Sequence, residues 1–478
     1  MKIWKSYLSI AQICALCLFA GGTAYAVPND LADSDITLAV EIELIREDAA
    51  PSHKIDVSTK KGIVTLSGTV DSYYAKLAAE DTAESVKGVT SVVNNIRVWP
   101  EKRLDSTIRG DVVMALAVDP VTDSYEIGVD VEDGVVTLTG KVDSYTEKTV
   151  AVDIVKGIRG VVDIKNKLVY DILKDRSDAD IKADIEYRLK SDASIDSGRF
   201  VVKVKNGKVT LSGSAGSAAE KSEVETETRM VPGVTSVVNK IDIKWWMDSS
   251  PSDWDKGWTD ADMQKSIKSD LLANPRVNQF KVIVKVDDGV ATLTGKVDNL
   301  QAKRAAEEEA LEVLGVWRVK NYLHVRPPLN RADAIIAIDI RDALRRNTYV
   351  DRYDIAVRVF NGIVYLTGEV DSWFIKKQAL KSASGVQGVI DVKNNLDVDY
   401  RYPLKTDKEI KDDIQSQLWW SPFVDSDDIS VVVQSGVATL LGTVEDWGEL
   451  QDAIKNAREG GATSVINKLK IKNGGGSD

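Results

Sequence analysis

The chain has 478 residues, 28% charged and 43% hydrophobic, with 32 Gly and 11 Pro and a formal charge of −12. That balance is globular, and at about 100–200 residues per domain it predicts roughly three to five domains. Two His (His53, His324) and two Cys (Cys14, Cys17) are too few for a zinc site, a triad in each domain or a disulfide framework, and the acidity disfavours nucleic acid as a partner.

The first residues read as an address. Lys2 and Lys5 precede an apolar stretch, Tyr7–Ala20, and Ala24-Tyr25-Ala26 offers small residues for cleavage. This predicts a secretory signal peptide over 1–26, cut after Ala26. The apolar core is shorter than the roughly 20 residues of a spanning helix, so cleavage is expected over anchoring. Both cysteines lie inside it, leaving a mature chain of charge −14 with no cysteine and no later apolar run long enough for a transmembrane span. The expected location is periplasmic.

Beyond the leader, one string recurs six times. It reads Gly62-Ile63-Val64-Thr65-Leu66-Ser67-Gly68 in the first copy and Gly362-Ile363-Val364-Tyr365-Leu366-Thr367-Gly368 in the fifth; the other copies start at Gly134, Gly207, Gly289 and Gly436. The first glycines are spaced by 72, 73, 82, 73 and 74 residues, long enough for small self-contained domains strung like beads.

Each copy carries the same series of elements. First comes an i, i+4, i+8 apolar stripe (Ile336, Ile340, Leu344 in copy five), one face of a short helix. Ser177-x-x-Asp180, Thr259-x-x-Asp262 and Thr406-x-x-Glu409 resemble capping boxes at its start. A period-two strand follows (Val282, Val284, Val286), then an Asn-Gly or Asp-Gly turn that requires positive φ, then the Val-x-Leu strand. The later glycine, such as Gly68, predicts a bulge or a close backbone approach. Asp71, Asp143, Asp298 and Asp371 stand where a second helix begins, suiting an N-cap. That helix ends at a glycine and leads to a last strand such as Val237-Val238-Asn239-Lys240-Ile241. The unit is αββαβ: a three-stranded mixed sheet packed on two helices, six times in tandem, in the α+β class.

This unit resembles the BON domain, named for bacterial OsmY and nodulation proteins. The resemblance rests on Gly-x-Val-x-Leu-x-Gly-x-Val in the hairpin and Gly-Val-x-x-Val-x-Asn in the last strand. It implies a periplasmic or envelope protein linked to osmotic stress, with phospholipid-binding or chaperone-like roles and no catalysis. The six copies span 33–98, 105–171, 177–244, 259–326, 331–400 and 406–473. Copy three departs at Ser214-Ala215-Gly216 and copy six lacks one residue near Gly461, so their second helices are expected to differ.

Linkers are short except 245–258, which holds four of the eleven Trp, including Trp254 and Trp258. It is either a packed joint between copies three and four or an exposed contact. A recurrent aromatic (Tyr73, Tyr145, Trp373, Trp447) is expected to pack over the second helix, with an exposed row as the alternative. Trp419, Trp420 and Phe423 are the aromatic binding candidates, and Arg341, Arg345 and Arg346 the site for anionic headgroups. Acid concentrates in the end copies. No cofactor and no metal are expected, and nothing identifies a catalytic group. The expected function is non-catalytic, stress-related binding of unfolded or envelope proteins by a multivalent array. A phospholipid-surface module and a structural spacer are the alternatives.

Overall fold

The computed structural model describes residues 31–50, 52–119, 121–122, 126–170, 176–246, 258–277, 281–328, 331–350, 353–399 and 405–472. The expected leader, both cysteines and Trp254 lie outside the described residues.

Every copy begins with a helix: Asp33–Arg46, Asp105–Val118, Asp178–Ser191, Asp260–Ala273, Asp333–Arg346 and Asp407–Trp420 in domains 1 to 6. Its apolar stripe is buried, as at Ile336, Ile340 and Leu344, and each such side chain contributes about 1.5–3 kcal/mol. Ser177, Thr259 and Thr406 each accept a hydrogen bond from the backbone three residues on, and the last two form reciprocal capping boxes.

A hairpin follows, for example Val282–Asp287 with Val290–Val297 in domain 4, or Ala356–Phe360 with Ile363–Val370 in domain 5. Its turn residues (Asn361 and Gly362 in domain 5) both have positive φ, as a two-residue turn of this hand requires. The later glycine marks a close backbone approach. A Cβ on Gly140 would lie 1.9 Å from the Glu126 carbonyl oxygen, and φ there is 123°.

The second helices are Tyr73–Glu84, Tyr145–Lys156, Ala218–Met230, Leu300–Leu311, Trp373–Ser384 and Trp447–Glu459. Their N-caps are Ser72, Ser144, Ser217, Asn299, Ser372 and Asp446, which in domains 1, 2, 4 and 5 stand one residue beyond the aspartate that the sequence suggested. The short side chain of the cap reaches the helix's third amide, and in those four domains the preceding Asp only leads into it. In domains 3 and 6 this helix has 13 residues rather than 12. The deletion in copy six therefore falls in the turn before its last strand, Ser464–Ile471.

The last strand pairs parallel to the second hairpin strand, which thus lies at the centre of a mixed sheet in every domain. In domain 1 it is split into Ser91–Asn94 and Arg97–Val98. Two side chains tie the elements together. An Asp opening the first helix stands 29 residues before the hairpin glycine in all six copies. Its two oxygens accept both turn amides, at 2.8 and 2.9 Å for Asp333 with Asn361 and Gly362. In the last strand an Asn (Asn94, Asn239, Asn321, Asn394) donates to a backbone carbonyl of the second helix at 2.8–3.1 Å.

The domains do not hang as separate beads; Asp33–Asp478 form one compact unit. Three equivalent junctions among the described residues pair domain 1 with 6, 2 with 5 and 3 with 4. In each, a backbone amide just past the second helix of one domain donates to the carbonyl at the end of the partner's first helix. The bonds are Lys87 to Trp420 (3.1 Å), Arg159 to Arg346 (3.0 Å) and Leu314 to Ser191 (2.7 Å). A second bond completes the bridge in two of them, Thr348 to Gly157 and Ala193 to Glu312. The equivalent residue in domain 6 is Pro422, which has no N–H to give.

Side chains add to the pairing. Gln417 donates to Glu43 at 2.7 Å, and Arg46 meets Asp413 at 3.3 Å. Crosswise, Tyr349 of domain 5 donates from its hydroxyl to the Ala49 carbonyl of domain 1 at 2.9 Å. Arg276 of domain 4 reaches Asp119 of domain 2 at 3.1 Å, and domains 4 and 5 share one hydrophobic core.

Candidate functional site

Pairing uses up helix ends, which sets what each domain can show to a ligand. Trp419 and Trp420, at the end of the domain 6 first helix, stack edge-to-face at 4.6 Å. Trp419 is 42% exposed, with the Lys87 ammonium of domain 1 at 5.8 Å from its ring. Burial lowers the pKa of Lys87, which Asp425 and Asp427 oppose. Phe423 is half-buried beside this junction. The pair therefore sits at the seam between domains 1 and 6, with one ring facing out.

The three arginines of domain 5 do not form one face. Arg341 is exposed but donates to its own domain's Val357 carbonyl at 3.0 Å. Arg345 is exposed and pairs with Asp342 at 3.2 Å. Arg346 is half-buried at the junction with domain 2, where burial lowers its pKa and Asp111 lies close by. Trp258 packs on the core shared by domains 4 and 5, with the Lys190 ammonium of domain 3 at 5.9 Å from its ring. Trp245 and Trp246 meet edge-to-face at 6.2 Å.

The recurrent aromatics have separate fates. Tyr145 meets Tyr170 at 6.0 Å, Tyr73 packs on the core of domain 2, and Trp447 on that of domain 6. Trp373 lies under the Arg458 guanidinium of domain 6, at 5.2 Å.

Sequence reasoning missed the surface that the fold leaves open. Two helices cover one face of each sheet, and the other face carries apolar side chains into solvent. In domain 4, Ile283 (57% exposed) and Tyr322 (59%) flank Thr294 in one cross-strand row. Lys285 and Lys320 flank Thr292 in the next row. In domain 5, Phe360 (66% exposed) lies opposite Ile363. Val201, Val432 and Ile466 are exposed on the corresponding faces of domains 3 and 6. The signal was present in the strands: a polar residue is expected between core positions, and Val282-Ile283-Val284 puts an isoleucine there. This arrangement offers apolar contact framed by lysines and assembles no acid–base or nucleophilic group. The closest carboxylate group, Asp192, Glu223 and Glu227, lies at the domain 3–4 junction and includes neither His. No helix among the described residues is long and apolar enough to cross a membrane.

Comparison with known proteins agrees with the repeat. The family model of the BON domain matches residues 32–100, 104–171, 177–244, 259–327, 332–400 and 406–473. The osmotically-inducible protein Y of Escherichia coli (strain K12) is 35% identical over 196 residues, covering 35% of this chain and 96% of that protein. The 21 kDa hemolysin of Actinobacillus pleuropneumoniae is 33% identical over 136 residues, covering 28% of this chain and 67% of that protein. Among solved structures, the C-terminal domain of CdsD, a structural protein of the type III secretion system of Chlamydia trachomatis, aligns with 16% identity and a TM-score of 0.13 over 45% of this chain and 98% of that one. With six matches that together span most of its length, the chain belongs to the BON domain family.

Proposed function

We propose that this chain is a non-catalytic, stress-related binding protein of the periplasm that holds partly unfolded or envelope proteins on the open faces of its sheets. One observation carries the reading. The helices are engaged in docking domains to one another, and each sheet turns its second face outward, with Ile283, Tyr322 and Phe360 more than half exposed. Apolar side chains in such positions mark contact surfaces, and neighbouring lysines keep the face soluble. Similarity to an osmotically-inducible protein supports a role under stress. Trp419 and Phe423, at the rim of the domain 1–6 seam, serve as accessory contacts.

The test is suppression of aggregation of a heat-unfolded client by the mature chain, compared with a variant carrying Ile283→Ser, Tyr322→Ser and Phe360→Ser. Suppression near equimolar ratio that falls several-fold in the variant is expected. No suppression by the wild-type chain rejects the reading; equal suppression by the variant moves binding off the sheets. Flotation with anionic vesicles separates this from a phospholipid-surface role through Arg341 and Arg345, which predicts co-flotation even without client.

A further inference from the structure

The three junctions share one backbone geometry but differ in charge. Aligned on their hairpin glycines, the positions meeting at the 2–5 junction are Asn347, Gln378 and Ser382 from domain 5 and Ala115, Ile154 and Gly157 from domain 2. All are neutral, and Asn347 donates to Ser382 Oγ at 3.1 Å and to Gln378 Oε1 at 3.5 Å. At the 3–4 junction the same six positions hold Asp192, Glu223, Glu227, Asp270, Glu309 and Glu312. Oxygens of Asp192, Glu223 and Glu227 lie within 4.8 Å of one another.

Tyr187, on the domain 3 first helix, lies near Asp270. The domain 3 first helix contributes Arg188, in the position of Ala343, bonded to Glu227 at 2.6 Å and 3.5 Å from Asp270. The turn after it holds Asp192, which accepts from the Ser194 amide and hydroxyl at 2.8 and 2.6 Å. The domain 3 second helix brings Glu223, exposed at the rim, and Glu227. From domain 4, the first helix brings Asp270, and Asn274 just past it donates to Glu309 at 2.7 Å. The second helix there carries Glu309 and is followed by Glu312 at its C-cap, while Glu308 faces Arg304 and Lys381.

One guanidinium does not balance six carboxylates. Burial first, then neighbouring carboxylates, push Glu312 up to about 9, Asp270 and Glu223 to about 7, and Asp192 and Glu309 to about 6.

We propose that the junction between domains 3 and 4 is a proton-tightened latch, closing as the medium turns mildly acid and loosening as it turns alkaline, while the 2–5 junction ignores pH. The sign follows from carboxyl groups that hold their protons more tightly docked than free. Docking takes up protons, so it is favoured below the ordinary carboxylate range and weakened progressively as pH rises through about 6 to 9. Each proton taken up changes the docking equilibrium by up to about tenfold per pH unit.

Amide hydrogen exchange on the full chain at pH 6 and pH 8, corrected for intrinsic rates, tests this with an internal control. The amides of Ala193 and Leu314 report the latch, and those of Arg159 and Thr348 the 2–5 junction, where the six matching positions carry no carboxylate. Protection of the first pair relative to the second is expected to rise at least tenfold on going from pH 8 to pH 6. It is expected to stay within threefold in the near-isosteric variant Asp270→Asn, Glu309→Gln, Glu223→Gln, Glu312→Gln. A wild-type ratio that stays constant or moves the other way overturns the proposal without any variant. A full pH response surviving in that fourfold variant overturns it as well.

Discussion

Replacing Tyr349 with Phe removes one oxygen atom and tests whether the domains dock as described. That oxygen bonds the Ala49 carbonyl at 2.9 Å and lies 3.1 Å from Ser72 Oγ, 277 residues away in the chain. Each bond is worth about 0.5–1.5 kcal/mol net, and the buried Ala49 segment leaves its carbonyl without a substitute, so the loss is about 2 kcal/mol. The ring stays, packed on Phe374 at 4.9 Å and Tyr74 at 5.5 Å. Tyr349→Ala removes those contacts too and is expected to cost about twice as much, since each aromatic pair adds about 0.5–1.5 kcal/mol beyond its buried area.

Urea unfolding of the full chain gives the total, and hydrogen exchange around Ala49 shows whether domain 1 responds to a change made in domain 5. Ser72 also caps the second helix of domain 1 through the Ala75 amide. A double-mutant cycle with Ser72→Ala therefore separates the cap from the bridge, with a coupling of about 0.5–1 kcal/mol expected. Independent beads would give a change within about 0.5 kcal/mol and silent exchange in domain 1, and that pair of results refutes the reasoning.

Three further outcomes are expected. Gly140→Ala sets a Cβ against the Glu126 carbonyl and should destabilise domain 2 by upwards of about 2 kcal/mol, seen as a lowered urea midpoint. Asp333→Ala frees the Asn361 and Gly362 amides, whose exchange should quicken while the other five hairpins stay unchanged. Pro422→Ala restores the missing donor at the 1–6 junction, and its new amide should be protected as those of Thr348 and Ala193 are; a fast-exchanging amide there would show the bridge is not equivalent.

Repeats made the fold readable. Six copies of one hairpin string showed which positions are framework, and the period-two series Val282, Val284, Val286 gave the strands. The clamp aspartate, at a fixed spacing before all six hairpins, was equally visible. Capping boxes such as Ser177-x-x-Asp180 drew the eye to its neighbours instead, because an Asp at a helix start already has a local explanation. The cap of the second helix was misplaced by one residue for a similar reason: Asp371 and Ser372 both suit that role, and only the backbone decides between them.

Docking was not readable. It joins different copies through main-chain atoms, which leave no periodic mark, and through pairs such as Glu43 with Gln417 that look like ordinary surface residues in each copy alone. The binding candidates suffered likewise. Arg346 belongs to the same helix as Arg341, but the domain 2 junction claims only the last of them.

The nested order of pairing, outermost with outermost and the two middle domains with each other, has a consequence for how the molecule is made. Domains 3 and 4 are neighbours in the chain and can meet as soon as domain 4 emerges. Domain 1 is finished first yet finds its mate last, across 374 residues at Glu43 and Gln417. Assembly should therefore zip outward from the central turn, with the most distant ends closing slowest. A chain truncated during synthesis keeps domain 1 unmated, with the seam around Lys87 open. The carboxylate-lined junction in the middle, which forms first, then becomes the step at which the surrounding pH enters the folding of the whole.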